Sequence, residues 1–200
     1  MLPRTYESAD LKYFGKLNSH SDFKNGPMGV TIHYTAGRNL MSSLDALRAS
    51  GNAYHLLIDR EGGVYQLMGF EAALWHSGRA LWQGLSPNRS HLAVALLSWG
   101  KLTKIKDGAY VNWLGVAVPK GDVVERMSGC WDAATQAQEE ALMGFLTWAV
   151  YKGIDPKNIC GHDECAIPRG RKVDPGGVLS VSMPVIREAL KNEVRKFSTV

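Results

Sequence analysis

The sequence predicts a single α/β domain in which a central mixed β-sheet is flanked by helices, giving three layers. Its 200 residues are enough for one domain with a hydrophobic core, and an apolar fraction of 45% is ordinary for a globular protein. Short apolar runs of strand length alternate along the chain with segments of helical periodicity. This interleaving is typical of a sheet that is covered by helices on both faces.

The first part of the chain supplies an extension, a strand and a helix. Residues 1–26 are mostly polar, and we expect them to lie as an N-terminal extension on a domain of residues 27–200. Residues 30–35, with the sequence VTIHYT, are apolar and β-branched enough to predict a buried strand. Leucines spaced by one helical turn predict a helix over residues 39–50, and Gly51 ends it.

A hairpin and a central strand follow. The segment AYHLLIDREGGVYQL (53–67) predicts two strands around a turn at residues 60–63. Alternation along the first of these strands places Tyr54 and His55 on opposite faces. Residues 92–97 are almost continuously apolar, which predicts a strand that is buried on both faces.

The second half of the chain is predicted to contain two helices and one strand. Residues 100–130 form a long irregular stretch, and such stretches are usually functional or carry small hairpins. Apolar periodicity predicts a helix over residues 135–151, a short strand at residues 157–160 and a last helix at residues 182–197. The last helix is expected to bury Val185, Leu190 and Val194.

Composition and charge exclude several classes of protein. The formal net charge is +4 and the isoelectric point is near 9.0, but Lys and Arg are spread along the chain, which argues against nucleic-acid binding. No apolar run reaches the ~18 residues of a membrane span. The N-terminus lacks the apolar core of a signal peptide, so we expect synthesis in the cytoplasm without one.

Cysteine usage favours free thiols. The three cysteines, Cys130, Cys160 and Cys165, are odd in number and too few for a disulfide framework. Cys160 and Cys165 flank His162, so a Cys/His zinc knuckle is an alternative. A structural zinc site needs four close ligands, and no second cysteine pair supplies them. We therefore favour buried free thiols.

The stretch GHDECAIPRGRKVDPGG (161–177) carries the residues on which a functional site would be built. It is rich in Gly and Pro, yet it places His162, Lys172 and Asp174 close together, and site residues collect on loops that a rigid scaffold holds. One imidazole and one carboxylate make an incomplete zinc site, because a catalytic zinc usually takes three protein ligands. His33, near the end of an apolar strand, is the candidate for the missing ligand.

Four separated motifs resemble one family in order: IHYTAG, AYHLLIDREGGVYQ, ALWHSG, and GHDE followed by GRKVDPGG. Together they resemble the zinc-dependent N-acetylmuramoyl-L-alanine amidases. That group includes phage lysozyme-type amidases, muropeptide-recycling amidases and peptidoglycan recognition proteins. The similarity runs from about Val30 to Gly177 and makes residues 27–200 an expected amidase domain. It implies one Zn²⁺ per chain, with three ligands: His33, His162 and Asp174.

The resemblance also implies a reaction and a substrate. The reaction is hydrolysis of the amide between the lactyl group of N-acetylmuramic acid and L-alanine, in peptidoglycan or a muropeptide. Lys172 stands two residues before Asp174, in the family's spacing. It is expected to stabilise the oxyanion that appears only in the transition state. The alternative for Lys172 is a solvated lysine of a glycine-rich loop.

The chain departs from the family pattern at two places. Recycling amidases carry a catalytic glutamate in the central strand, and Ala95 stands at that position here. Phage lysozyme-type members have a tyrosine just before the histidine of the hairpin strand, and Tyr54 occupies that place. Tyr54 is therefore expected to orient the attacking water or to relay its proton, the alternative being a core tyrosine. The loop between His162 and Lys172 is two residues longer than the family's.

Three further residues are predicted to bind substrate. His76, in the WHSG motif, resembles a substrate-contacting position, with a structural role as the alternative. Trp82 and Trp113 lie in loops that would wall a sugar–peptide groove, although ordinary core or surface aromatics are the alternative. His55 is expected to be a packed core histidine.

Several functions share these motifs. A phage or prophage endolysin fits best, because the chain is compact and mildly basic, has a tyrosine-type site and lacks a signal peptide. Such an endolysin would need another release route to reach the cell wall. A cytosolic muropeptide-recycling amidase and a delivered antibacterial amidase are alternatives. A non-catalytic peptidoglycan-recognition module usually lacks a zinc ligand, and all three are present here. A regulatory interaction protein has no recognisable signature. No separate wall-binding domain is predicted.

Overall fold

The computed structural model describes residues 2–106 and 108–197 and confirms the α/β fold. The helices are α1 (Leu40–Ser50), α2 (Pro87–Ser90), α3 (Gln136–Tyr151), α4 (His162–Cys165) and α5 (Met183–Phe197). The strands are β1 (Ser21–Asp22), β2 (Gly29–Tyr34), β3 (Leu56–Ile58), β4 (Val64–Gln66), β5 (Ala72–Ala73), β6 (His91–Leu96), β7 (Lys101–Lys104), β8 (Tyr110–Val111), β9 (Ala117–Val118), β10 (Val123–Arg126), β11 (Gly129–Asp132) and β12 (Ile159–Gly161).

The central sheet is mixed, as predicted. Its strand order is β12-β2-β6-β3-β4, with the first four strands parallel and β4 antiparallel to β3. Strand β6 is the middle strand, and every one of its residues is buried. A strand covered on both faces needs apolar side chains at all positions, and the β6 sequence HLAVAL has them everywhere except at His91.

Two hydrophobic cores on opposite faces of the sheet produce the three layers. Alternation along each strand sends successive side chains to opposite faces. The core between the sheet and helices α3 and α5 includes Ile32, Val94, Phe145 and Leu190. The core between the sheet and helix α1 includes Leu44, Leu57 and Ala95.

Residues 100–130 are more regular than the sequence predicts. They form most of a second, antiparallel sheet with the order β10-β11-β7-β8-β9. Its strands are two to four residues long. Such short segments show too little alternation to be recognised by their periodicity.

A buried carboxylate joins the second sheet to the rest of the domain. Asp132, at the end of β11, is fully buried. Its Oδ2 accepts hydrogen bonds from Arg38 Nε at 3.0 Å and from Ser98 Oγ at 3.1 Å, and Arg60 Nη1 lies 3.4 Å from Oδ1. A buried charge is tolerated when it is paired and hydrogen-bonded, which is the case here.

The N-terminal segment contributes to the core. Tyr6, Leu17 and Phe23 are buried, and the Tyr6 ring lies 5.0 Å from that of Trp148 in α3. The backbone N–H of Tyr6 donates to Gln66 Oε1 at 2.8 Å. Residues before the central sheet thus pack into the domain rather than only covering its surface.

Helix α5 buries Leu190, as predicted, but not Val185. Val185 is exposed, whereas Met183, Ile186 and Leu190 are buried. Spacings of three and four residues place these three side chains on one face, and Val185 falls outside it. The side chain of Val194 lies outside the described part of the chain.

Among the described residues, the helices are too short or too polar to cross a membrane.

His55 is a core histidine, as expected. It is fully buried, its Nε2–H donates to Ala72 O at 2.8 Å, and its Nδ1 accepts from the backbone N–H of Ala93 at 2.9 Å. Burial lowers the pKa of His55 from 6.5 to about 4. A second proton would put an N–H against the Ala93 N–H, so the folded protein favours the neutral ring.

This histidine makes folding sensitive to acid. In the unfolded chain His55 takes up a proton at its ordinary pKa. The contribution of neutral His55 to stability is therefore complete above about pH 6.5 and is lost as pH falls towards 4. The gap between the two pKa values corresponds to about 3 kcal/mol. Urea unfolding at several pH values should show a shallower loss below pH ~6.5 for His55→Gln than for the parent. Parallel curves for the two proteins would contradict this role.

Candidate active site

The three predicted metal ligands meet at one edge of the central sheet. His33 lies near the end of β2, and His162 directly follows β12, its parallel neighbour. Both Nδ1 atoms approach the same oxygen, Asp174 Oδ2, at 2.8 Å from His33 and 2.9 Å from His162. All three side chains are buried. Two parallel strands therefore deliver the imidazoles side by side, and the loop after α4 brings the carboxylate to them.

The outer nitrogens of the imidazoles fix which atoms carry hydrogen. His162 Nε2 lies 2.9 Å from the carbonyl oxygen of Ser77, and His76 Nε2 lies 3.2 Å from that of Pro87. A carbonyl oxygen only accepts, so both Nε2 atoms are donors. Neutral His76 then offers Nδ1 as an acceptor to His33 Nε2, 3.1 Å away. Each ring thus has its N–H directed away from Asp174.

This tautomer pattern leaves three lone pairs directed at one point. In their neutral forms, His33 and His162 each present an Nδ1 lone pair to Asp174 Oδ2, which is itself an acceptor. A cation between them satisfies all three atoms. The candidate ligand atoms lie within 4.8 Å of one another, and in the part of the chain that the structure describes this is the one such group of His, Cys, Asp or Glu side chains.

The electrostatics of the site favour the protonation state that a metal requires. Burial lowers the pKa of His33 and outweighs the raising effect of Asp174. Burial opposes ionisation of Asp174, but its contacts with His162 and His33 hold the pKa of this carboxyl well below its usual value. Metal ligands bind as neutral imidazoles and ionised carboxylates. Two nitrogens and one oxygen are a ligand set that fits zinc.

A loop held by Asn88 contacts the candidate ligands. Asn88 Oδ1 accepts from the backbone N–H groups of His76 and Ser77, at 3.1 and 2.9 Å, and its Nδ2 donates to the carbonyl oxygen of Gly78. Arg171 Nη2 donates to the carbonyl oxygen of Ser77 at 2.8 Å. Such outer partners orient metal ligands. Nothing in the sequence separates Asn88 from an ordinary loop residue, so these contacts could not be predicted.

Tyr54 and Lys172 both lie near the metal group. The Tyr54 ring is 5.0 Å from the His33 ring, and burial together with the Asp174 charge raises the pKa of Tyr54. Lys172 is exposed, and its positive charge is among the influences that lower the pKa of His33. Ala95 pairs directly with His33 in the sheet and is fully buried.

A sequence comparison decides the family. A model described as N-acetylmuramoyl-L-alanine amidase matches residues 23–177, well over half of the chain. The chain belongs to the N-acetylmuramoyl-L-alanine amidase family. The predicted resemblance is therefore confirmed, and by membership the chain is classed as an amidase. No curated protein matches it in sequence.

Solved structures of amidases share the fold. AmpDH3 from Pseudomonas aeruginosa, in complex with anhydromuramic pentapeptide, is similar with a TM-score of 0.59 and 20% identity over 94% of this chain and 66% of that one. An AmpD structure is similar with a TM-score of 0.58 and 19% identity, over 95% of this chain and 99% of that one. AmiD from E. coli, in complex with anhydro-N-acetylmuramic acid-L-Ala-D-gamma-Glu-L-Lys, is similar with a TM-score of 0.58 and 22% identity. The similarity covers 88% of this chain and 62% of AmiD. This chain thus spans under two thirds of AmpDH3 and AmiD.

His76 packs against the candidate ligand His33. It is buried behind His33, and both of its ring nitrogens are engaged with protein atoms. Burial lowers the pKa of His76 well below its ordinary value, and the charge of His33 adds to this effect. These contacts are those of the structural role that the sequence left open for His76, and substrate contact by His76 stays a prediction.

Trp82 is held by contacts with other protein groups. Its indole N–H donates to the carbonyl oxygen of Lys157 at 2.9 Å, and Arg187 lies over its ring. Trp82 also packs against the cluster of Ala80, Cys160 and Cys165. These contacts give it a structural position, and its role in substrate binding stays a prediction.

Trp113 remains a candidate for substrate contact. It is 67% exposed at the tip between β8 and β9, and its indole N–H donates to the carbonyl oxygen of Ala36 at 2.7 Å. Ala36 lies three residues after His33 and has a φ of 57°, where the chain turns after β2. This contact holds an exposed aromatic ring close to the edge of the sheet that bears the metal group.

The cysteines do not form a zinc knuckle. All three are free, with Cys160 and Cys165 buried. Cys165 Sγ donates to the carbonyl oxygen of His162 at 3.5 Å, while the His162 ring faces Asp174. The prediction of buried free thiols is therefore confirmed for Cys160 and Cys165, whereas Cys130 is only partly buried.

Proposed function

We propose that this chain hydrolyses the amide between N-acetylmuramic acid and L-alanine with one zinc ion, held by His33, His162 and Asp174. The observation that carries the proposal is the convergence of three lone pairs at a buried point beside exposed Lys172. When bound, zinc supplies a nucleophile from water at neutral pH and polarises the amide carbonyl. Peptidoglycan or a muropeptide is the proposed substrate, such as the L-Ala-D-γ-Glu-L-Lys muropeptide that AmiD binds.

The supporting residues keep the ligands ready. Ser77 accepts the Nε2–H of His162 through its carbonyl oxygen, and His76 accepts that of His33. Both imidazoles are therefore fixed in the tautomer that exposes Nδ1. Asp174 contributes an anionic oxygen that partly offsets the charge of the metal.

Lys172 and Tyr54 are the proposed catalytic residues. The Lys172 ammonium stabilises the negative charge that the amide oxygen acquires in the transition state. Tyr54 holds its proton at neutral pH, because burial and Asp174 raise its pKa. It orients the attacking water and passes a proton towards the leaving amine. Ala95 has no titratable group and takes no part.

We further propose that the chain acts on intact cell wall as a phage or prophage endolysin. The tyrosine-type site and the absence of a glutamate at Ala95 support this role. A muropeptide-recycling amidase and a delivered antibacterial amidase are the alternatives. A recognition module without activity fits less well, because all three ligand positions are filled and converge.

The test is digestion of purified sacculi and of soluble anhydro-muropeptide, with the new end groups identified by mass spectrometry. We expect free L-alanine amino termini from both, and faster release from sacculi if the endolysin role is correct. Lys172→Ala should retain its zinc and lower kcat about a hundredfold or more. No new alanine termini with the zinc-loaded protein would refute the amidase proposal. Parent-like turnover by Lys172→Ala would instead support the alternative that Lys172 is a solvated loop residue.

A further inference from the structure

An ion pair joins the last helix to the short helix that begins with the candidate ligand His162. Arg187, in α5, donates to Glu164, in α4, through Nη1 at 2.7 Å and through Nη2 at 2.9 Å. The two side chains are only 15% and 20% exposed. A two-bond contact between a guanidinium and a carboxylate fixes the orientation of both groups as well as their distance.

The pair also holds the main chain directly before His162. Arg187 Nη1 donates to the carbonyl oxygen of Ile159 at 3.0 Å, and Glu164 Oε2 accepts from the backbone N–H of Gly161 at 3.0 Å. Ile159 and Gly161 are the first and last residues of β12, which pairs with β2. One pair of side chains therefore fixes both ends of the strand that leads into the ligand.

Trp82 restrains the guanidinium from another side. The centre of its ring lies 5.2 Å from Arg187 Cζ, and its indole N–H is itself bound to the carbonyl oxygen of Lys157 at 2.9 Å. A guanidinium over an indole ring gains a cation–π attraction. Arg187 is thus held by Trp82 and Glu164 together, which makes it a fixed support and not a mobile surface arginine.

The turn that presents His162 is tightly packed against the loop of Asp174. The backbone N–H of Asp163 donates to the carbonyl oxygen of Asp174 at 2.7 Å, and a Cβ atom on Gly161 would stand only 2.7 Å from Pro175 Cδ. A shift of this turn would therefore change the 2.9 Å separation of His162 Nδ1 and Asp174 Oδ2.

We infer that Arg187 and Glu164 are positioning residues, which hold His162 in the geometry that binds the metal. The inference rests on the proposed function and gives the last helix a part in metal binding. The two residues act through the backbone that they hold, at Ile159 and Gly161. A site binds its metal tightly when its ligands are kept close to their bound positions before the metal arrives.

The test is the zinc affinity of Glu164→Gln, measured by competition with a chromophoric chelator. The substitution keeps the size of the side chain but sets an NH₂ group against the N–H donors of Arg187. We expect zinc to bind about tenfold more weakly or worse, as is typical when outer partners of metal ligands are lost. Arg187→Met should have a similar effect. The double variant should lose no more affinity than the more affected single variant, because both substitutions remove the same contact.

Two controls on the same helix separate positioning from stability. Lys191→Gln removes an exposed ion pair with Glu188, and Ile186→Val trims a buried side chain and should lower the midpoint of thermal unfolding. Both controls should bind zinc as tightly as the parent. Excess zinc should refill Glu164→Gln and restore most of its turnover, which would not happen if the substitution impaired substrate binding.

Parent-like zinc affinity in both Glu164→Gln and Arg187→Met would overturn the inference, as would an equal loss of affinity in Ile186→Val. If Glu164→Gln does not fold, Arg187→Lys provides the comparison, because it keeps the charge and loses the planar fork. Zinc binding by a parent that cleaves neither sacculi nor muropeptide would instead refute the amidase proposal, and the comparison of zinc affinities would still decide the positioning role.

Discussion

Replacing His162 with Ala is expected to reduce bound zinc from one ion per chain to near zero and to abolish hydrolysis. The substitution removes one of three lone pairs that converge within 4.8 Å. Outer partners of metal ligands typically contribute about 10- to 100-fold in affinity, and a direct ligand contributes more. Elemental analysis of the purified variant gives the zinc content, and sacculus digestion gives the activity.

The controls distinguish loss of metal from loss of fold. His20→Ala removes an exposed imidazole that lies against Trp75, and it should keep one zinc per chain. Circular dichroism of His162→Ala should stay close to that of the parent, because two hydrophobic cores hold this chain without help from a metal. Chelation of the parent should likewise stop hydrolysis and preserve the spectrum. Undiminished zinc in an Asp174→Ala/His162→Ala protein would rule out the assigned ligands.

Tyr54→Phe is expected to lower kcat by about 10² to 10⁴, the usual contribution of a positioned acid–base group. The ring contact with His33 survives, since only the hydroxyl is removed, so zinc content and stability should change little. Tyr13→Phe, on the aromatic pair with Tyr65, is a matched control that should leave turnover at the parent level. Hydrolysis by Tyr54→Phe at the parent rate would mean that another group manages the proton.

A second substitution tests whether Tyr54 replaces a glutamate. Ala95 stands directly opposite His33 in the sheet, so Ala95→Glu in the Tyr54→Phe background brings a carboxyl close to the metal group. Ala95 is fully buried in the core beneath α1, and a buried carboxylate is costly. We therefore expect partial recovery of turnover, accompanied by a lower midpoint of thermal unfolding.

The group of His33, His162 and Asp174 was predictable because its signals are local. His33 lies near the end of an apolar strand, and His162 and Asp174 lie in one glycine-rich loop, so the sequence shows both the scaffold and the chemistry. Strand β6 was equally clear, because a fully buried strand leaves an unbroken apolar run. The second sheet escaped prediction because its two- to four-residue strands are too short for alternation to show.

The outer partners were not predictable for a different reason. His76 meets His33 across 43 residues of sequence, and nothing in WHSG states whether its ring faces solvent or a ligand. Tyr54 shows a related limit. Alternation assigns it to the face of Leu56 and Ile58, but β3 begins only at Leu56, and the Tyr54 ring packs on the opposite face with the core beneath α1. Alternation of side chains between the two faces of a sheet can be relied on only within the strand itself, and Tyr54 lies before β3 begins.

The junction at Asp132 determines how this domain can be recombined with its relatives. Arg38 and Arg60 come from different parts of the chain and both reach one buried carboxylate. Exchanging the second sheet without the matching arginines would strand a charge in the interior, which typically costs about 3–5 kcal/mol. A chimaera that acquires a new second sheet must therefore inherit Arg38, Arg60 and Asp132 together, whereas the exposed tip at Trp113 is the place for grafting.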